Sequence, residues 1–142
     1  MTERASRHKL ADADSLPYWG GVEAGELRFP CCAACGHQHF PPRAMCPKCW
    51  SDRLEWKASA GEGAIHSCTV VHRASRPDFA TPYVLALIDL DDAPRMMANV
   101  VGPGALEAAI GDRVAVTFEA RDGDVLPQFR LRRHTQGISP ER

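Results

Sequence analysis

Cys32-Ala-Ala-Cys35-Gly36 and, ten residues on, Cys46-Pro47-Lys48-Cys49 form a pair of CxxC motifs inside a turn-rich segment. Zinc takes four thiolates in a tetrahedron, and two CxxC knuckles supply them from two facing turns. Gly36 suits a knuckle, where backbone N–H groups turn in toward sulfur and a side chain would crowd them. Pro47 fixes the second turn. A ribbon this small buries too little to fold alone, so the metal supplies the folding free energy, of order 10–16 kcal/mol in small zinc peptides. The motifs predict a structural, rubredoxin-like zinc ribbon with Cys32, Cys35, Cys46 and Cys49 as ligands. A rubredoxin-type iron is the chemical alternative for four thiolates. Disulfides require an oxidising compartment, and MTERASRHKLADAD carries no apolar export signal, so a cytoplasmic location is expected. A redox CxxC occurs once, in a βαβ setting. A catalytic zinc needs an open position that four thiolates do not leave. Cys31 falls outside the matched spacing and reads as a packed spare thiol. His37 and His39, between the knuckles, read as exposed loop residues.

The ribbon is expected over residues 28–60, after a flexible polar leader at 1–14 and a short helix at 15–27. Ser15 is a candidate N-cap, and Pro17 suits the first turn. Gly20, Gly21 and Gly25 weaken the helix. Tyr18 and Trp19 either pack on their own domain or form an aromatic docking arm for a partner; both readings stand here.

From Gly61 the character changes. Glycine-rich turns separate apolar segments of strand length at 63–73, 82–90, 95–101, 113–120 and 125–131. In the fourth, Val114, Val116 and Phe118 share one face, and Arg113, Thr117 and Glu119 the other. The second is apolar at nearly every position, which predicts cover on both faces. Between the third and fourth strands PGALEAAIG reads as about two turns of helix ended by Gly111. Five strands with a helix after the third predict an OB-type barrel over 61–132, with an SH3-like barrel as the rival. The polar stretch 133–142 reads as a flexible tail. The fold class is therefore mainly β: N-terminal helix, zinc ribbon, five-stranded OB-fold barrel.

The 142 residues carry 17 Lys plus Arg against 18 Asp plus Glu, a net charge of −1, with 7% aromatics. Nucleic-acid binding needs a basic groove with interleaved aromatics, so a single-stranded nucleic-acid module is the disfavoured alternative. No apolar run reaches the roughly 18 residues of a membrane span.

The stretches YWGGVEAGELRFPCCAACG, HFPPRAMCPKCWSDRLEWKASAGEGAIHSCTVVHR, PYVLALIDLDDAPRMMANVVG and IGDRVAVTFEARDGDVLPQFR occur in this order across about residues 16–132. In order and spacing the sequence resembles the zinc-ribbon/OB-fold family, long known as a domain of unknown function, that accompanies thiolases and lipid-transfer-protein-like thiolases. Cys31, which doubles the first cysteine, and His66, where an aromatic or apolar residue is expected, depart from the pattern. The resemblance implies a non-catalytic accessory subunit of a thiolase-like, aldolase or hydratase enzyme acting on acyl-CoA, with direct CoA contact as a further expectation.

Individual residues are weighed against that implication. Arg43 follows the stiff Phe40-Pro41-Pro42 and is set either for a phosphate or carboxylate or for a bridge between ribbon and barrel. Arg73, Arg76 and Phe79 lie in the loop after the first barrel strand, where Arg forks and an aromatic face suit CoA or a partner. His66 and His72, six apart on one strand, are expected on one face, but no nucleophile or carboxylate is set beside them by sequence. Cys68 reads as a small buried hydrophobe. Asp89, Asp91 and Asp92 read as a solvated turn, and Trp50 and Trp56 as cover for the ribbon. There is no GxSxG elbow and no phosphate loop.

Overall fold

A computed structural model describes residues 11–132. The tail expected over 133–142 and the first ten residues of the expected leader lie outside them. The chain runs through a helix α1 (Leu16–Glu23), a two-stranded ribbon β1 (Leu27–Cys32) and β2 (Leu54–Ser59), and five further strands. These are β3 (Glu62–Val71), β4 (Tyr83–Leu90), β5 (Met96–Val101), β6 (Arg113–Arg121) and β7 (Asp124–Leu131). They close into a barrel in the order β3-β4-β5-β7-β6, with β5 and β7 parallel and every other pair antiparallel. A five-stranded barrel of this order is the OB fold.

Helix α1 is short because its glycines end it. Gly25 takes the left-handed conformation (φ +78°), and the N–H groups of Gly25 and Glu26 donate to the carbonyls of Val22 and Gly21. Pro17 sits in the first turn as expected, but the Ser15 hydroxyl does not cap the helix. It accepts the Asp12 N–H at 2.9 Å and so closes the preceding turn.

One core serves the whole fold. Tyr18, Val22, Leu27 and Phe29 pack into the same buried cluster as Ile65, Val84, Ile88, Val114 and Phe129. Tyr18, Phe29 and Phe40 meet ring to ring at 5.3–6.1 Å. At the junction, Asp92 accepts the Ser59 hydroxyl and the Ala60 N–H at 2.5 and 2.9 Å. The Val116 N–H donates to the Gly61 carbonyl at 2.7 Å. Gly61 is required here: its φ is +72°, and a Cβ would lie 2.2 Å from Val116 Cγ1.

Four local expectations are corrected. Strand β4 buries Val84, Ala86, Ile88 and Leu90, while its other face is only half covered, and Met97 beside Leu87 is exposed. The expected helix at 103–111 shrinks to one 3₁₀ turn, Ala105–Glu107. The following backbone has other partners: Ala109 N–H donates to the Asp112 carboxylate, and Gly111 N–H to the Ile65 carbonyl. A bulge between Ile65 and Ser67 leaves His66 as the extra residue. Beyond it the inward positions become Cys68 and Val70, opposite Ala86 and Val84, and the strand ends at Val71, so His72 lies past it and the two histidines are not on one strand. The acidic turn is engaged rather than merely solvated. Asp89 pairs with Arg95 and His66, Asp91 with Arg113, and Asp92 holds the junction.

Candidate metal centre and barrel cleft

The two knuckles are built alike. Gly36 N–H donates to the Cys32 carbonyl at 2.8 Å, and Trp50 N–H to the Cys46 carbonyl at 2.9 Å. Both residues that follow the second thiol of a knuckle are left-handed, Gly36 at φ +76° and Trp50 at φ +66°. The four sulfurs lie within 4.8 Å of one another, with Cys32–Cys49 at 3.5 Å and Cys35–Cys46 at 3.7 Å. A tetrahedron with Zn–S bonds of about 2.3 Å has edges of about 3.8 Å, so the set fits zinc closely. All six cysteines are free thiols. Cys31 is buried with its Sγ toward the Gly36 carbonyl, outside the ligand set.

Backbone N–H groups, burial and the neighbouring thiols shift the cysteines in different directions. The Cys35 N–H does most to lower the Cys32 pKa, to about 6, against burial and with help from the Ala34 N–H and the neighbouring thiols. At Cys46 burial opposes ionisation, but the N–H groups of Cys49 and Lys48 outweigh it and the pKa falls. Cys49 is favoured by the Ser51 N–H, yet the thiols of Cys32, Cys35 and Cys46, with burial, push it up to about 12. Metal binding takes the thiols as thiolates, so loading the centre releases protons. Loaded, the centre has four protein ligands and no position for water, which makes the zinc structural.

Around the centre, two expectations fail. His39 is buried (5% exposed), not a surface loop residue, because its N–H pairs back to the Pro30 carbonyl beside β1. Its ring stacks on His37 at 6.3 Å, and neither ring nitrogen has a hydrogen-bond partner among the described residues. Burial, followed by the charges of His37 and Arg43, lowers its pKa. Trp50 does not cover the sulfurs: it is 71% exposed, because its left-handed backbone turns the side chain outward. Such a conformation costs a non-glycine residue about 1–3 kcal/mol. Trp56 is half-buried and packs against the core. Arg43 is exposed and has no ion-pair partner among the described residues.

The barrel carries a cleft of about 640 Å³ between the β3–β4 loop and the β6–β7 turn. Phe79 lines it, as do Tyr83, Asn99, Arg121 and Asp122, which sequence reasoning missed. Their signal was the OB topology itself, which brings those two loops together. Arg76 lies 5.2 Å over the Phe79 ring and donates to Asp78 at 2.7 and 3.0 Å, so its charge is already engaged. Arg73 is exposed and does not line the cleft. Leu85 and Asn99 continue the cleft into a smaller apolar groove of about 260 Å³ between α1 and the barrel. Tyr18 lines this groove but is itself buried (3% exposed) by Phe29 and Phe40, so it is a core aromatic and not an exposed arm. Trp19 lines the same groove and is half-buried.

Residues 19–55 match the model of the ChsH2 rubredoxin-like zinc ribbon domain, and residues 56–119 that of the ChsH2 C-terminal OB-fold domain. The chain is 36% identical over 118 residues to a probable enoyl-CoA hydratase alpha subunit of Thermomonospora curvata, covering 82% of this chain and 37% of that protein. The chain thus spans only about a third of the length of the hydratase alpha subunits it matches. A DUF35 domain-containing scaffold protein of Methanothermobacter thermautotrophicus is 32% identical, over 73% of this chain and 84% of its own. The benzoylsuccinyl-CoA thiolase subunit BbsA of Geobacter metallireducens is 31% identical, over 61% and 53%. A chain of the solved Ltp2-ChsH2(DUF35) aldolase superposes with a TM-score of 0.79 and 31% identity, covering 87% of this chain and 98% of its own.

Proposed function

The chain belongs to the DUF35 family of zinc-ribbon and OB-fold proteins, and from that premise we propose that it is a non-catalytic accessory subunit of an acyl-CoA-processing enzyme of thiolase, aldolase or hydratase type. The observation that carries this reading is the closed tetrathiolate centre. It stiffens a ribbon that shares one core with the barrel, giving a rigid body with no open coordination position for chemistry. The reactive groups then belong to the partner. The reading also takes a cytoplasmic, reducing compartment, where four thiolates stay available to metal. No described helix is long and apolar enough to cross a membrane.

CoA contact is the finer part of the proposal. Its support is the cleft with Phe79 and Tyr83 as apolar walls and Arg121 at the rim. Arg76, tied to Asp78, contributes packing more than free charge. The experiment is a tagged pull-down from the native host with mass spectrometry. The expected result is an acyl-CoA enzyme near unit stoichiometry. Recovery of no such enzyme, or of nucleic-acid-associated proteins alone, refutes the subunit reading. Equilibrium dialysis of CoA against the complex with wild-type chain and with Phe79→Ala tests the finer part.

A further inference from the structure

Trp50 is an anomaly that the fold alone does not explain. The second knuckle demands a left-handed residue at this position, and the first knuckle fills the equivalent position with Gly36, the residue that adopts it without strain. Trp50 accepts the strain and yet buries little of its ring in its own chain, being 71% exposed. Its turn is held by Trp50 N–H to the Cys46 carbonyl at 2.9 Å and Cys46 N–H to the Ser51 carbonyl at 2.8 Å, and two of the four metal-site thiols, Cys46 and Cys49, belong to the same loop. Met45, on the same turn, is a further exposed apolar side chain at 46%. An aromatic presented from a pre-organised turn loses little entropy when it enters a pocket, and Trp is the residue most enriched among interface anchors.

We propose that the Trp50 knuckle is a docking knob whose occupant is an apolar socket on the catalytic subunit of the acyl-CoA enzyme. The inference rests on the accessory-subunit reading above. Charge favours a protein socket over a polyanion. Within the segment 43–53, Arg43, Lys48 and Arg53 bring three positive charges, while Asp52 and a zinc tetrathiolate, a dianion once loaded, bring three negative ones, so the segment is neutral overall. A phosphate backbone needs a net cationic surface; burial of an indole needs only apolar walls.

The test starts from the complex captured with wild-type bait. Hydroxyl-radical footprinting, read by mass spectrometry, compares Trp50 oxidation in the free chain and in the complex. Protection of at least fivefold is expected. Trp50→Gly, which relieves the backbone, is expected to keep the wild-type zinc content and an equal or higher Tm while weakening the purified complex at least tenfold in Kd. Unchanged Trp50 oxidation in the complex, or a W50G chain that binds as tightly as wild type, overturns the knob and leaves the subunit reading intact. A wild-type bait that captures no acyl-CoA enzyme, or whose Trp50 is protected by single-stranded DNA instead, overturns both.

Discussion

Replacing Gly61 by Ala tests whether ribbon and barrel are one cooperative body. Two costs are read from the structure. The first is backbone: at φ +72° an alanine sits in the left-handed region, at about 1–2 kcal/mol. The second is steric: the new Cβ would lie 2.2 Å from Val116 Cγ1 and 3.0 Å from Val116 Cβ, so Val116 must leave its place on β6. Overpacking of this kind costs about 1–3 kcal/mol. Together they predict a loss of about 2–5 kcal/mol, which for a chain of this size lowers Tm by roughly 6–15 °C. The assay is calorimetry of zinc-loaded protein, with one transition expected in wild type and mutant. Val116→Ala removes the clashing methyl, so the double mutant is expected to recover about 1–3 kcal/mol relative to the sum of the single changes. A G61A Tm within 2 °C of wild type, or strict additivity in the cycle, refutes the close approach on which the argument rests. Two separate transitions in wild type refute the shared core.

The metal centre, the pH profile and the barrel seal give further expectations. Cys46→Ser removes a buried ligand; the purified chain is expected to hold substoichiometric zinc and to lose ribbon dispersion in its NMR spectrum, and full zinc content would refute the tetrathiolate assignment. Stability is expected to fall as pH drops below about 6.5, because the unfolded chain protonates His39 first and the folded chain, with its lowered pKa, resists. His39→Gln or His39→Phe is expected to flatten that part of a chemical-denaturation profile, and an unchanged slope refutes the buried neutral ring. A second loss is expected below about pH 4, as Asp89 and Asp91, held below the usual carboxylate range by Arg95 and Arg113, take up protons; Asp91→Asn is expected to reduce it. Phe129→Ala, at a fully buried site between Val100 and Val116, is expected to cost about 3–5 kcal/mol by denaturant titration.

What could be read in the sequence follows from which interactions are local. The ligand set was legible because knuckle geometry is written in a four-residue spacing. The barrel was legible because its strands alternate and lie between glycine turns. The bulge at His66 was not, since it depends on pairing with β4, and it silently changes which of the following residues face inward. The short 3₁₀ turn was hidden for a similar reason: Gly111 and Asp112 spend their backbone and carboxylate groups on β3 and the loop itself. His39 and Trp50 show the converse failure. Their places in the sequence, between the knuckles for one and after the last ligand for the other, suggested an exposed loop and a cover for the ribbon, while the fold buries His39 and exposes Trp50. The cleft residues Tyr83, Asn99 and Arg121 come from three separate strands and become neighbours only in the closed barrel.

The shared core also sets an order of events during synthesis. The ribbon is complete at Ser59, but the barrel that covers Leu27 and Phe29 cannot close until β7 arrives with Phe129, about 70 residues later. At 5–20 residues per second that interval lasts roughly 4–14 s. Throughout it the nascent ribbon lacks the barrel's cover on its apolar face and is held by the β1–β2 pairing, by Tyr18 and Phe40 against Phe29, and by its metal centre. Zinc capture within that interval is therefore expected to protect the ribbon before the barrel that covers it exists.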